Sequence, residues 1–211
     1  MADATGRLRY LALGDSYTIG EGVAADGSWP VQLARALRAQ GIALDDPRII
    51  AKTGWSTDEL AAALDAAEPI GQWDAVSLLI GVNNQYRGRA VEEYAREFAT
   101  LLARAVACAG GRTDRVLVLS IPDWGVTPFA FAQGRDRARI AEELDAYNAA
   151  ARAICALHGI AFVDVTGVSR ALGGAPAMLA DDGLHPSAAM YGEWTQLAVP
   201  VAKKLLMDAV A

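Results

Sequence analysis

The chain has 211 residues, of which 53% are hydrophobic and 21% are charged. This composition is typical of a globular protein with one sizeable core, and it excludes an intrinsically disordered chain. The formal net charge is −6 and the sequence contains no basic run, so neither nucleic acid nor an anionic membrane surface is expected as a partner.

Strand and helix patterns alternate along the chain. In chain order they predict a strand at 8–13, a helix at 29–40, a strand at 48–51, a helix at 57–67, a strand at 75–80, a helix at 91–105, a strand at 116–121, a helix at 140–154, a strand at 160–165 and a helix at 190–205. Thr57 and Asp58 are expected to cap the second helix, and Pro200 is expected to kink the last one.

The alternation predicts an α/β fold in three layers, α/β/α, with five parallel strands in a doubly wound, flavodoxin-like sheet. We expect the strand order 2-1-3-4-5. The sequence contains no linker and no repeat, so a single domain over residues 1–211 is predicted.

Two connections are unusually long, at residues 122–133 and 166–186. Loops of this length are uncommon in compact domains and are often functional. Both leave from the carboxyl edge of the predicted sheet, where open α/β folds bind their ligands.

The chain has only two histidines. His158 lies at the predicted end of a helix, just before Gly159, and this position favours a helix-capping role. His185 lies in the second long loop, three residues after Asp182. At that spacing a turn can place the carboxylate against the imidazole Nδ1, which leaves Nε2 free to accept a proton. The competing interpretation is a simple capping turn, because Ser187 can start the last helix.

A candidate nucleophile follows the first predicted strand. Ser16 lies in the segment Gly-Asp-Ser, where Gly14 permits a sharp turn at the edge of the sheet. Asp15 is expected to be structural. A Gly-Asp-Ser triplet alone is weak evidence, because it is equally compatible with a turn.

Two further segments offer donors for an oxyanion. Gly54 follows the second strand and can bring a backbone N–H close to a ligand. Asn83 follows the third strand and carries a side-chain amide. Each of these residues is also common in ordinary turns.

Taken together, these segments resemble the SGNH/GDSL hydrolase family over nearly the whole chain. The segment GDSYTIG, with Ser16, is similar to the family's first motif, and Gly54 and GVNN, with Asn83, are similar to the second and third. Asp182 and His185 match Asp-x-x-His. Asn84 stands where the family usually has Asp, and we expect this position to be structural.

The resemblance implies a three-layer α/β/α fold, no cofactor, and hydrolysis of esters or thioesters through an acyl-enzyme. Ser16 would be the nucleophile, with His185 and Asp182 completing the triad. The oxyanion hole would consist of the Ser16 N–H, the Gly54 N–H and the Asn83 amide.

The substrate is less well defined by the sequence. Five aromatic residues lie in segments at the functional edge: Trp55, Tyr86, Trp124, Phe129 and Phe131. They are expected either to line an acyl pocket or to pack in the core, and Trp55, Tyr86 and Trp124 are the candidates for substrate binding. Short acyl or acetyl esters are favoured because no segment looks like a long apolar channel. A lysophospholipase and an acyl thioesterase with the same triad remain open alternatives, and the sequence does not define the oligomeric state.

Two other classes of protein share individual features with this sequence. Residues 20–25 formally fit a glycine-rich nucleotide- or flavin-binding loop, but no helix is predicted to follow them immediately. A metal hydrolase using Asp123, Asp181, Asp182 and His185 would have few ligands of the usual type. Neither class is favoured.

The N-terminal segment has no signal-peptide pattern, so a cytoplasmic location is expected.

Cys108 and Cys155 lie in predicted helices outside any Cys-x-x-Cys pair. Buried, reduced thiols are the expected state.

Overall fold

The computed structural model describes residues 6–207. Their strands form one parallel sheet in the order β2-β1-β3-β4-β5. The strands are β1 (Tyr10–Gly14), β2 (Arg48–Ala51), β3 (Ala75–Leu79), β4 (Val116–Leu119) and β5 (Ala161–Val163). The predicted strand order and the parallel, doubly wound architecture are therefore confirmed.

The helices cover both faces of the sheet. They are α1 (Ser16–Ile19), α2 (Trp29–Ala39), α3 (Thr57–Ala66), α4 (Val82–Tyr86), α5 (Val91–Cys108), α6 (Pro128–Ala132), α7 (Arg137–Leu157), α8 (Thr166–Leu172) and α9 (Ala188–Met207). Single 3₁₀ turns occur at Ala25–Gly27, Thr113–Arg115, Trp124–Val126 and Pro176–Met178. Helices α2 and α9 pack together on one face, and α3, α5 and α7 lie side by side on the other.

The strands are shorter than predicted at several ends, because side chains take over the backbone hydrogen bonds. Strand β4 ends at Leu119, and the Ile121 N–H donates to Asn148 Oδ1 at 2.8 Å instead of to a neighbouring strand. The Val165 N–H donates to Ser120 Oγ at 2.8 Å, just beyond the end of β5. These side-chain acceptors turn the chain away from the sheet at its carboxyl edge.

The two long connections are not irregular throughout. The first contains the turn at Trp124–Val126 and helix α6, whose first residue is a proline in a position that tolerates the missing N–H. The second contains α8 and the turn at Pro176–Met178. Both connections therefore have a defined local structure.

The predicted cap of α3 is wrong by one residue. Ser56 precedes the helix, and its N–H donates to Glu59 Oε2 at 2.9 Å, which forms one half of a capping box. Thr57 is the first residue of the helix, and its hydroxyl donates to Glu97 instead. Helix α9 continues through Pro200 to Met207.

Cys108 and Cys155 are both buried and unpaired, as predicted. Within residues 6–207 there is no helix with the length and apolar character needed to cross a bilayer.

Candidate active site

The carboxyl ends of β1, β2 and β3 bring the predicted site residues to one cavity of about 230 Å³. The cavity is lined by residues from six separate segments: Ser16, Tyr17, Thr53, Gly54, Val82, Asn83, Tyr86, Trp124, Phe129, Leu184 and His185. Six of them are sequence-predicted candidates, namely Ser16, Gly54, Asn83, Tyr86, Trp124 and His185. A single pocket thus contains a hydroxyl, an imidazole and an amide.

Ser16 starts the short helix α1 directly after β1. The sharp change of direction depends on Gly14, because a Cβ there would lie 2.1 Å from Thr18 Oγ1 and 2.4 Å from the Leu79 carbonyl oxygen. Gly14 is needed for this close approach rather than for an unusual backbone angle. The result places Ser16, which is 5% exposed, at the floor of the cavity.

Asp15 caps α1, and its Oδ1 accepts a hydrogen bond from the Tyr17 N–H at 3.0 Å. Complete burial raises the pKa of Asp15 to about 7, although the hydrogen bond from Tyr17 acts in the opposite direction. Within the described residues, Asp15 Oδ2 has no hydrogen-bond partner. Near neutral pH this carboxyl group is therefore only partly ionised, and it carries less than a full negative charge beside Ser16.

Asp182 and His185 form a hydrogen-bonded pair within one turn. Asp182 Oδ2 lies 2.5 Å from His185 Nδ1, and Asp182 Oδ1 accepts from the N–H groups of Leu184 and His185, each at 2.9 Å. Burial raises the pKa of Asp182, but these hydrogen bonds outweigh it and hold the pKa below its usual value. The carboxylate is thus anionic at neutral pH and orients the imidazole through Nδ1.

Two backbone hydrogen bonds link the two sides of the loop that carries this pair. The Ala180 N–H donates to the His185 carbonyl at 2.8 Å, and the Ser187 N–H donates to the Met178 carbonyl at 3.0 Å. The Tyr17 ring packs edge-on to the imidazole, with ring centroids 5.8 Å apart. Ser187 directly precedes α9, as expected from the sequence.

The segment around Gly54 is held by α4 and the residue that follows it. Asn83 Nδ2 donates to the Trp55 carbonyl at 2.9 Å, and Arg87 Nη2 donates to the Gly54 carbonyl at 2.7 Å. Gly54 has a φ of +85°, which only glycine adopts readily. These bonds fix the two candidate oxyanion donors relative to each other.

Asn84 anchors the same segment from inside the protein. It is fully buried, its Oδ1 accepts from the Thr57 N–H at 3.1 Å, and its Nδ2 donates to Thr57 Oγ1 at 2.6 Å. The same Nδ2 lies 3.4 Å from Glu97 Oε2. An amide suits this position because the neighbouring carboxylate requires a donor, and the structural role expected for Asn84 agrees with these contacts.

Tyr86, Trp124 and Phe129 form an aromatic wall of the cavity. Trp124 stacks edge-on against Tyr86 and Phe129, with centroid distances of 5.3 and 6.3 Å. The Trp124 Nε1–H donates to Gln85 Oε1 at 2.8 Å, which fixes the indole. Trp55, by contrast, packs partly buried against the core and is outside the set that lines the cavity.

Sequence reasoning missed four lining residues: Tyr17, Thr53, Val82 and Leu184. Each is the immediate neighbour of a candidate site residue in the chain, which is the signal that could have identified them. The other histidine, His158, caps the end of α7 as predicted and lies just before β5, at the opposite edge of the sheet from the cavity.

The two rival classes of site find little support in the local geometry. Among residues 6–207, no group of three or more His, Cys, Asp or Glu side chains is arranged to hold a metal ion. The Asp123 carboxylate accepts from Arg170 Nε and from the Gly125 N–H, each at 2.8 Å. Residues 20–25 follow α1 rather than β1, and they lead into a 3₁₀ turn instead of a long helix.

The serine, the Asp–His pair and the five-stranded parallel sheet together fit the pattern of the SGNH/GDSL hydrolases. A family model described as GDSL-like lipase/acylhydrolase matches residues 12–192. The chain therefore belongs to the GDSL-like lipase/acylhydrolase family. No curated protein matches the sequence significantly.

Solved structures share the fold over nearly the full length of both chains. TesA is 22% identical, with 94% of this chain and 99% of that chain covered and a TM-score of 0.73. A lipase/acylhydrolase from Enterococcus faecalis is 22% identical, with 93% and 96% covered and a TM-score of 0.68. Axe2, an acetylxylan esterase from Geobacillus stearothermophilus, is 19% identical, with 92% and 94% covered and a TM-score of 0.70.

Proposed function

We propose that this protein is a serine esterase that hydrolyses carboxylic esters through an acyl-enzyme on Ser16. The observation that carries the proposal is that Ser16 shares one cavity with His185, whose Nδ1 is already engaged by Asp182 at 2.5 Å. This arrangement leaves Nε2 as the free ring nitrogen for proton transfer.

In the proposed reaction, Ser16 Oγ attacks the ester carbonyl while His185 Nε2 takes the hydroxyl proton. The negative charge on the tetrahedral oxygen is stabilised by the N–H groups of Ser16 and Gly54 and by Asn83 Nδ2. One Asn83 N–H is used by the Trp55 carbonyl, and the second is available for the oxyanion. The intermediate collapses as His185 returns the proton to the leaving alcohol.

Deacylation repeats the sequence with water. His185 accepts a proton from the water as its oxygen attacks the acyl-enzyme carbonyl, and the same oxyanion donors stabilise the second tetrahedral intermediate. The proton then returns to Ser16 Oγ as the acid leaves. No step requires a cofactor.

We propose short acyl groups, acetyl foremost, as the preferred acyl part. A cavity of about 230 Å³ is smaller than the roughly 300–1,000 Å³ of pockets that hold drug-sized ligands. Tyr86, Trp124 and Phe129 restrict it on one side. A single hydrolase domain and a cytoplasmic location stay predictions of the sequence.

The test is hydrolysis of p-nitrophenyl esters from acetate upward in acyl length, with an acyl thioester and a lysophospholipid alongside. Ser16→Ala and His185→Ala should each lower kcat by at least about 10³-fold. His158→Ala is the matched control, since it removes the chain's other histidine far from the cavity and should leave kcat unchanged. Equal loss in both histidine variants would refute the assignment.

Covalent labelling provides a readout that does not depend on the substrate. A fluorophosphonate should modify Ser16 alone, and the modification should slow strongly in His185→Ala but not in His158→Ala. Intact reactivity of Ser16→Ala toward the probe would show that another residue is the nucleophile.

A further inference from the structure

A second cavity, of about 320 Å³, adjoins the candidate active site. Tyr86 lines both cavities, so the two spaces lie on either side of a shared residue. The walls of the second cavity are polar, with side chains from α4, from the residues just before α7 and from the first turns of α7. It thus differs in chemistry from the apolar and aromatic wall of the first cavity.

The guanidinium group of Arg135 lies at the junction. It stacks over the rings of Tyr86 and Trp124, with its carbon 5.1 and 5.4 Å from the two centroids. Both of these rings line the catalytic cavity. Such stacking holds an arginine by its face and leaves the N–H groups at its edge available.

The other charged groups in this cavity have partners. Glu143 Oε2 accepts from Gln85 Nε2 at 2.7 Å and Glu143 Oε1 accepts from Arg139 Nε at 2.8 Å. Asp136 Oδ1 caps α7 by accepting from the N–H groups of Ala138 and Arg139, at 3.0 and 3.2 Å. Within residues 6–207, the Arg135 guanidinium makes its ring contacts but neither a hydrogen bond nor an ion pair at contact distance, although its charge helps to lower the pKa of Glu143.

We propose that the second cavity binds the alcohol part of the ester, and that Arg135 selects substrates whose alcohol carries an oxyanion, either a carboxylate or a phosphate. The apolar catalytic cavity suits a short acyl chain, whereas the polar cavity suits a charged group. A planar guanidinium donates two parallel hydrogen bonds to either anion. This inference rests on the proposed esterase function.

The kinetic test compares two acetyl esters of similar shape and different charge, 4-acetoxybenzoate and 4-acetoxybenzamide. Wild type should prefer the anionic ester in kcat/KM, and Arg135→Gln should lower kcat/KM for that ester about 5- to 20-fold, mainly through KM. The neutral ester should change less than twofold. Arg135→Lys should retain part of the preference, and added salt should weaken it in wild type.

Arg152→Gln is the matched control, because Arg152 also stacks on an aromatic ring, that of Phe162, at 4.6 Å. It belongs to α7 but not to the lining of either cavity. It should leave both esters unaffected. If Arg135 serves only to hold the loop against Tyr86 and Trp124, Arg135→Gln will slow both esters equally, and the proposal is then wrong.

A binding measurement separates this proposal from the esterase proposal. The amide isosteres 4-acetamidobenzoate and 4-acetamidobenzamide can be titrated calorimetrically, and the anion should bind more tightly to wild type but not to Arg135→Gln. If no ester is turned over but this charge preference in binding is intact, the esterase function is refuted while anion binding by Arg135 stands. Turnover without a charge preference would refute only the role of Arg135, and replacing the carboxylate of the probe by phosphate identifies the preferred anion.

Discussion

Replacing Asn84 by the aspartate usual in the family should destabilise this particular protein. The cause is Glu97, whose carboxylate lies 3.4 Å from Asn84 Nδ2 and also accepts from the Thr57 hydroxyl. In Asn84→Asp the donor amide becomes a second acceptor. One hydroxyl proton on Thr57 cannot serve two carboxylates, so one of them loses its partner.

The size of the effect follows from the contacts. Two hydrogen bonds donated by the amide are lost, at about 0.5–1.5 kcal/mol each. Two unit charges 3.4 Å apart repel by about 5 kcal/mol at an effective dielectric constant of ~20. Relaxation of the pair and the nearby Arg89, whose Nη1 is 3.7 Å from Glu97, reduce this repulsion. We expect a net loss of about 2–4 kcal/mol in the free energy of unfolding at pH 7.5.

The assay is urea unfolding of wild type, Asn84→Asp, Glu97→Gln and the double variant at pH 7.5 and pH 5. The double variant should be more stable than Asn84→Asp alone, because a glutamine at position 97 can donate to the new carboxylate. Two carboxyl groups that share a site ionise less readily in the folded than in the unfolded chain, so the penalty is full above neutral pH and shrinks as pH falls. A penalty that is additive with Glu97→Gln and independent of pH would refute the electrostatic explanation.

Three further outcomes follow from the site. Asn83→Ala removes one proposed oxyanion donor and should lower kcat about 10²–10³-fold with little change in KM, measured with the best ester; a selective rise in KM would contradict this role. Asp182→Asn should lower kcat about 10⁴-fold at pH 7.5, because the amide stabilises neither the required tautomer of His185 nor its imidazolium form. A kcat close to that of wild type would exclude Asp182 from the triad. Burial raises the pKa of Asp15 to about 7, so the free energy of unfolding should decrease as pH rises from about 4 through 7. Asp15→Asn keeps the helix cap and should make this decrease smaller, as measured by urea unfolding at pH 5 and pH 8. An unchanged dependence of the unfolding free energy on pH would contradict the assigned ionisation.

The arrangement of strands was predictable because each strand is a short, mostly apolar run, and the central strands β1, β3 and β4 are almost completely buried, as expected of parallel strands covered on both faces. The alternation with helices then restricted the topology to a few choices. Ser16, Gly54 and Asn83 could be placed together for the same reason, since each follows a strand that ends at one edge of the sheet. The Asp182–His185 contact was predictable from a spacing of three residues within a turn.

What the sequence did not reveal depends on contacts between distant segments. Trp55 follows Gly54, yet its side chain packs against the core, and no periodicity in that short loop indicates the direction. The role of Glu97 depends on α5 lying beside α3, so Asn84 could be seen as unusual but its partner could not be identified. The second cavity forms only where α4 meets the start of α7, which are about 50 residues apart in the chain.

The separation between the two halves of the proposed triad has a consequence for biosynthesis. Ser16 and His185 stand at opposite ends of a 211-residue chain, so the nucleophile leaves the ribosome long before its base. At about 5–20 residues per second, the nascent polypeptide carries Ser16 without His185 for roughly 8–35 s. Truncated products that lack the last loop would lack the proposed base, so activity through this triad would require that the ribosome has passed His185 and that the last loop has folded.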